Sequence, residues 1–211
     1  SGDVTEYINF FESEIPRCEG SLVDRPPHNS LYFQKQLEAV GNYYYKISGD
    51  KLPYTANIIT NTTDDGYYTV SKTMEDYAKS DQLLAEFFSE ALGLAKLDIE
   101  AYFGPTFSPD SVVFVVFHAG LSQDFSYPSL DPTIYDLKSA YIDQKMMEGV
   151  SPTVISGDPI MSGILLPETQ NIIYFDVAED IFGNPDYGTD NLCDIQIGLS
   201  GIFALNLGYE L

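Results

Sequence analysis

The sequence predicts a mixed α/β (α+β) domain built around one sheet, and three observations predict it. Residues 73–97 place apolar side chains at helical spacing, Val112–Phe117 is an unbroken apolar run of strand length, and residues 195–211 are apolar almost all round.

The elements follow in order. Asp3–Ile15 is expected to be a helix, because Val4, Tyr7, Ile8 and Phe11 share a face and Pro16 closes it. Cys18–Asn29 is a loop punctuated by Gly20 and Pro26-Pro27. Asn29 or Ser30 caps a second helix that is expected to end near Val40, at Gly41. Tyr43, Tyr45 and Ile47 alternate with Tyr44, Lys46 and Ser48, which predicts a half-buried strand. Gly49-Asp50 then turns the chain toward a second strand at Leu52–Tyr54.

Residues 60–68 are polar and turn-rich around Asp64-Asp65-Gly66. One long helix is expected over about Thr73–Leu97, with Leu84, Phe87, Phe88, Ala91, Leu92 and Ala95 on its apolar face. Asp98–Pro109 reads as a connection, and Ser111–His118 as a strand buried on both faces. Ala119-Gly120 and an irregular stretch to about Pro152 follow. Ile172–Val177 has strand length, Asn184–Asp194 is acidic and turn-rich, and Ile195–Leu211 reads as a buried helix. That last helix has no capping glycine or polar tail, so the natural protein is expected to continue past Leu211.

Composition narrows the function. A hydrophobic share of 44 % fits a packed core, and 16 Tyr with no Trp suit strands and half-buried surfaces. The net charge of −22 rests on only 10 Lys and Arg, which disfavours nucleic acid and anionic lipid as partners and attracts cations such as calcium. No apolar stretch reaches the roughly 18–20 residues of a membrane span. Cys18 and Cys193 fit either one disulfide in an oxidising compartment or two buried thiols. Asn61-Thr62-Thr63 matches a glycosylation acceptor, with Asn61 as the site.

Motifs for several chemistries are missing. There is no Gly-rich phosphate loop and no Gly-x-Ser-x-Gly elbow, and Cys18 lacks the local context of a nucleophile. Asp186, Asp190, Asn191 and Asp194 surround a Gly turn and offer the oxygen ligands calcium takes, although the spacing is not that of an EF-hand and an ordinary acidic loop has the same residues. Asp64-Asp65 is a weaker case. His28 lies in a Pro-rich loop, and His118 ends a strand with no histidine nearby in sequence, which favours a hydrogen-bonded structural role over a metal ligand.

Three stretches carry a family resemblance. They are Ser30–Gln36 with the Tyr43–Leu52 segment, Val112–Gly120 with its closing Ala-Gly pair, and Ile197–Leu211. In this order they resemble the secreted metallopeptidases of the immune inhibitor A type. The resemblance spans roughly residues 30–211, and implies a 1–29 helix-and-loop segment before a 30–211 metallopeptidase-like domain. It also implies a zincin-like fold, in which helices pack a central mixed sheet and the buried C-terminal helix is the active-site helix.

Active members carry His-Glu-x-x-His on that helix. Two His four apart share a face and bind zinc, and the Glu serves as general base on metal-bound water. Aligned on Gly208, this chain has Leu205 at the first His, Asn206 at the Glu and Tyr209 at the second His. Leu cannot ligate, Asn is not basic, and Tyr is a weak ligand at best. Glu210 stands one residue too late to replace the base. The expectation is a non-catalytic, zinc-free domain of a secreted or cell-surface protein. It would act as a binding or structural module, filament and surface assemblies included, with a protein partner or self-assembly. Its rivals are an enzyme whose catalytic residues lie outside this segment, and an acidic calcium-binding extracellular domain.

Overall fold

A computed structural model describes residues 28–62, 66–104, 107–120, 122–124, 135–168 and 207. The helix expected at Asp3–Ile15, the loop up to residue 27, the strand at Ile172–Val177, the acidic loop at Asn184–Asp194 and all of Ile195–Leu211 except Leu207 lie outside the described residues.

The first described helix, α1, is Ser30–Ile47. Asn29 caps it as expected: its backbone is extended and its side chain accepts the Tyr32 N–H at 3.1 Å. The helix does not stop at Gly41, and the strand expected at Tyr43–Ile47 is its last turns. Gly41 is there because the Tyr54 ring lies against it; a Cβ would stand 3.1 Å from the ring. Gly49 and Asp50, both at positive φ, end the helix with Asp50 N–H donating to the Tyr45 carbonyl at 2.9 Å. The turn is therefore real, but it closes a helix and joins no hairpin.

Nor is Leu52–Tyr54 a strand. The chain from Lys51 on is extended and alternates inward and outward, but belongs to no sheet. Its polar groups are met by α1 instead. Gln34 Nε2 donates to the Ala56 carbonyl at 2.6 Å, and the Tyr54 hydroxyl donates to the Leu37 carbonyl at 2.8 Å.

The single long helix expected at Thr73–Leu97 is two helices, α2 at Met74–Ala78 and α3 at Asp81–Phe103. Thr73 caps the first and Ser80 the second, each side chain accepting a backbone N–H three residues on. Ser80 is extended (φ −161°), which breaks the run. α3 continues through the expected connection to Gly104, whose positive φ ends it.

The strand expected at Ser111–His118 is shorter, because Pro109–Ser111 forms a 3-10 turn. It is β1, Val115–His118. β2 (Ala140–Ile142) and a strand sequence reading missed, β5 (Gly163–Pro167), complete a three-stranded mixed sheet in the order β1-β5-β2. β5 runs parallel to β1, with Val115 opposite Ile164 and His118 opposite Pro167, and antiparallel to β2. Between β2 and β5, β3 (Val154–Ile155) and β4 (Asp158–Pro159) form a hairpin whose turn residues Ser156 and Gly157 both have positive φ.

The central strand explains the layering. All five residues of β5 are buried. Leu165 joins Leu84, Phe88 and Leu92 of α3 on one face, while Ile164 and Leu166 meet Leu37 and Val40 of α1 on the other. Helices thus cover both faces, and β5, not β1, is the strand enclosed on both sides. Leu207 is helical, 5 % exposed, and packs into the α1-side cluster. Among the described residues, no helix is long and apolar enough to cross a membrane.

Candidate functional site

Because β1 and β5 are parallel, both end at the same edge of the sheet. Ligand sites of open α/β sheets gather beyond such strand ends. Here β1 leaves through His118-Ala119-Gly120 and β5 through Pro167-Glu168.

Glu168 ties the two exits together. Its backbone N–H donates to the Gly120 carbonyl at 3.2 Å, and its Oε2 accepts the Gly120 N–H at 3.1 Å. Gly120 has φ +84°, which brings both of its backbone groups into reach without strain. The other carboxylate oxygen, Oε1, lies 2.8 Å from His28 Nδ1. His28 and Glu168 are 7 % and 8 % exposed, so this contact between residues 140 positions apart is buried. The His28 ring packs on Tyr32 in the first turn of α1, with centroids 4.3 Å apart.

His118, the last residue of β1, is also buried, at 5 % exposure, with Phe87 of α3 edge-on to its ring at 6.5 Å. Its Nδ1 lies 3.0 Å from the Ala119 carbonyl. A carbonyl can only accept, so Nδ1 carries the proton and Nε2 presents a lone pair. Nε2 is buried and has no hydrogen-bond partner among the described residues. Burial pushes the imidazole down to about 4, against weaker upward pulls from the Ala119 carbonyl and the Asp124 and Glu168 carboxylates. The ring is neutral at pH 7 and has an unused acceptor. Beside it, Ser122 Oγ accepts the Asp124 and Ser139 N–H groups, each at 3.2 Å, and Asp124 Oδ1 accepts the Ser139 N–H at 2.8 Å.

The sequence-derived residues fare unevenly. His118 has the structural hydrogen bond expected of it. His28, which the sequence places in a Pro-rich loop, is held at the end of β5 by Glu168. Glu168 was missed; its one local signal is an acid directly after the apolar run of β5. Asn61 donates its side-chain amide to the Tyr67 carbonyl at 2.9 Å, and the adjacent Thr62 hydroxyl donates to Asp98 at 2.8 Å. The candidate calcium ligands Asp186, Asp190, Asn191 and Asp194, the Asp64-Asp65 pair, Cys18 and Cys193, and Leu205, Asn206, Tyr209 and Glu210 lie outside the described residues. Among the described residues, no three His, Cys, Asp or Glu side chains are grouped to hold a metal.

No family model matches the chain, and neither the curated proteins nor the solved structures compared with it yielded a match.

Proposed function

We propose that the chain is a metallopeptidase-like domain without zinc chemistry, serving as a binding or structural module of a secreted or cell-surface protein. The observation that carries this reading is the joint replacement at Leu205, Asn206 and Tyr209. Zinc hydrolysis needs two ligands and a base at those three positions, and none of the three residues can serve. Two features support it. Leu207, between the replaced positions, is helical and buried among Leu37, Val40, Ile164 and Leu166, which suits a stretch kept for packing. The two histidines of the chain are engaged within the fold, His28 with Glu168 and His118 with the Ala119 carbonyl.

The test is metal content by plasma mass spectrometry on protein purified without chelators, alongside hydrolysis of a generic peptide substrate. Absence of both stoichiometric zinc and hydrolysis is the expected result. Zinc at one per chain, or metal-dependent peptide cleavage, would overturn the reading. Calcium without zinc would fit a structural cation and point to Asp186–Asp194.

A further inference from the structure

A break in the acidic coat runs along α3. Leu94, Leu97 and Ala101 stand three and four residues apart and share one stripe of the helix, about 10 Å long. All three are exposed, Leu97 at 77 % and Leu94 at 42 %. A lone exposed leucine is ordinary, but a stripe with built walls is not.

The walls are two other parts of the chain. The β3–β4 hairpin stands on the side of Gly93 and Glu100. A Cβ on Gly93 would lie 3.3 Å from Thr153 Oγ1, and Ser156 N–H donates to Glu100 at 3.0 Å. The chain ahead of α2 stands on the side of Asp98, which accepts the Thr62 hydroxyl at 2.8 Å and the Tyr68 hydroxyl at 2.7 Å. Toward the start of α3, Ser71 N–H donates to Glu90 at 2.7 Å and closes that end. Tyr67 and Val154, on the two walls, are exposed as well.

Charge says what the stripe accepts. Glu90, Asp98 and Glu100 border it, and the lysines nearby are already held by carboxylates, Lys72 by Glu86 and Lys96 by Glu100. A second copy fits poorly: a face-to-face pair would bring these carboxylates against their own duplicates, on chains of net charge −22. The chain's own remaining stretches fit no better. Residues 1–27 hold Arg17 and Arg25 as their only cations, and residues 169–206 contain no Lys or Arg. The cations that complement this border come from another protein.

We propose that the stripe docks a basic amphipathic helix of a protein partner, apolar side chains on Leu94, Leu97 and Ala101 and Lys or Arg toward Glu90, Asp98 and Glu100. A helix suits it because rows of side chains three and four apart interlock with the same rows on a second helix. The inference rests on the reading of the chain as a binding module and names the chemistry of what it binds.

The experiment is calorimetric titration of the whole chain with three synthetic helical peptides. One has Leu on one face and Lys on its flanks, one has the same residues scrambled, and one has Glu in place of Lys. The first should bind at one per chain, about tenfold or more tighter than either of the others. Leu97→Ser should weaken it by a similar factor, while Ile47→Ser, at an exposed position of α1, should not. The ranking of the peptides on the native chain decides even without the variants. Equal binding of the scrambled peptide would reduce the effect to general charge attraction and overturn the proposal, as would equal binding of the Glu peptide. Alkylation of Leu97→Cys checks the other occupants: the thiol should react freely in the chain alone and be shielded by the Lys peptide. Shielding that fades on dilution would assign the stripe to a second copy, and shielding at every dilution to the chain itself; either overturns the proposal. No binding by any peptide, with zinc absent, would overturn this partner chemistry alone, whereas stoichiometric zinc would overturn the reading beneath it.

Discussion

Gly163 and Phe88 are packed so closely that a Cβ on Gly163 would stand 2.3 Å from Cζ of the ring and 2.7 Å from Cε2. This contact seats the central strand on α3. The Phe114 carbonyl lies 2.8 Å from the same point, so backbone blocks one escape and a fully buried ring blocks the other. Gly163→Ala should therefore destabilise the fold by about 3 kcal/mol, the upper part of the usual overpacking range. Urea unfolding should show a lower midpoint with an unchanged slope. A loss below about 0.5 kcal/mol, the ordinary scale of a surface change, would mean that strand and helix can separate freely at this point.

A second joint holds the β3–β4 hairpin to α3. Ser89 Oγ donates to the Ser151 carbonyl at 2.9 Å and accepts the Thr153 N–H at 2.9 Å, while Thr153 Oγ1 donates to the Ser89 carbonyl at 2.6 Å. Ser89→Ala would strand one backbone donor and one acceptor in a half-buried place, at a cost of about 2 kcal/mol. Hydrogen exchange should localise the effect, with Thr153 N–H losing protection first. Uniform loss across the sheet would contradict a local joint.

How much of this was legible follows the range of each interaction. Asn29 was readable as a cap because capping needs only its own side chain and the next turn. Tyr43–Ile47 was misread because five residues are too few to separate period two from the last turns of a helix. In fact Tyr43 and Ile47 share the outer face, while Tyr44 turns inward. Gly41 looked like a stop signal, but its cause is the Tyr54 ring, and local sequence does not show that. β5 was passed over because Gly163 and Pro167 bracket only three aliphatic residues. Its central place depends on pairing with β1, which ends 45 residues before Gly163. The site is half visible for the same reason: each histidine can be seen, but the contact of His28 with Glu168 across 140 positions is a product of the sheet.

Tyr54 offers a pH-dependent test. Its hydroxyl donates to the Leu37 carbonyl at 2.8 Å, and burial, followed by the neighbouring Tyr44, pushes the phenol well above its ordinary range. A raised folded value means that the unfolded chain loses this proton first. The contribution is complete below about pH 10, the unfolded phenol's value, and declines as pH rises above it. Tyr54→Phe should cost about 1 kcal/mol at neutral pH. The loss of stability between pH 10 and 11 should also be shallower in the variant than in the native chain. Equal alkaline slopes would show that Tyr54 ionises in the fold as readily as a free phenol.

The degenerate helix can be tested by restoring it. Two histidines four apart on one helix face form half of a tetrahedral zinc site, and the intervening acid supplies the base. On the proposed reading, Leu205→His with Tyr209→His should create zinc affinity that either change alone does not. Equilibrium dialysis against zinc, followed by metal analysis, would measure it. Uptake should require both substitutions together and weaken at acid pH, because each imidazole must be neutral to ligate. Adding Asn206→Glu should leave uptake intact, since the base is not a ligand. Zinc uptake by Leu205→His alone, or no gain in the double variant, would remove the alignment on Gly208. The proposed loss of zinc chemistry would then have no basis in these three positions.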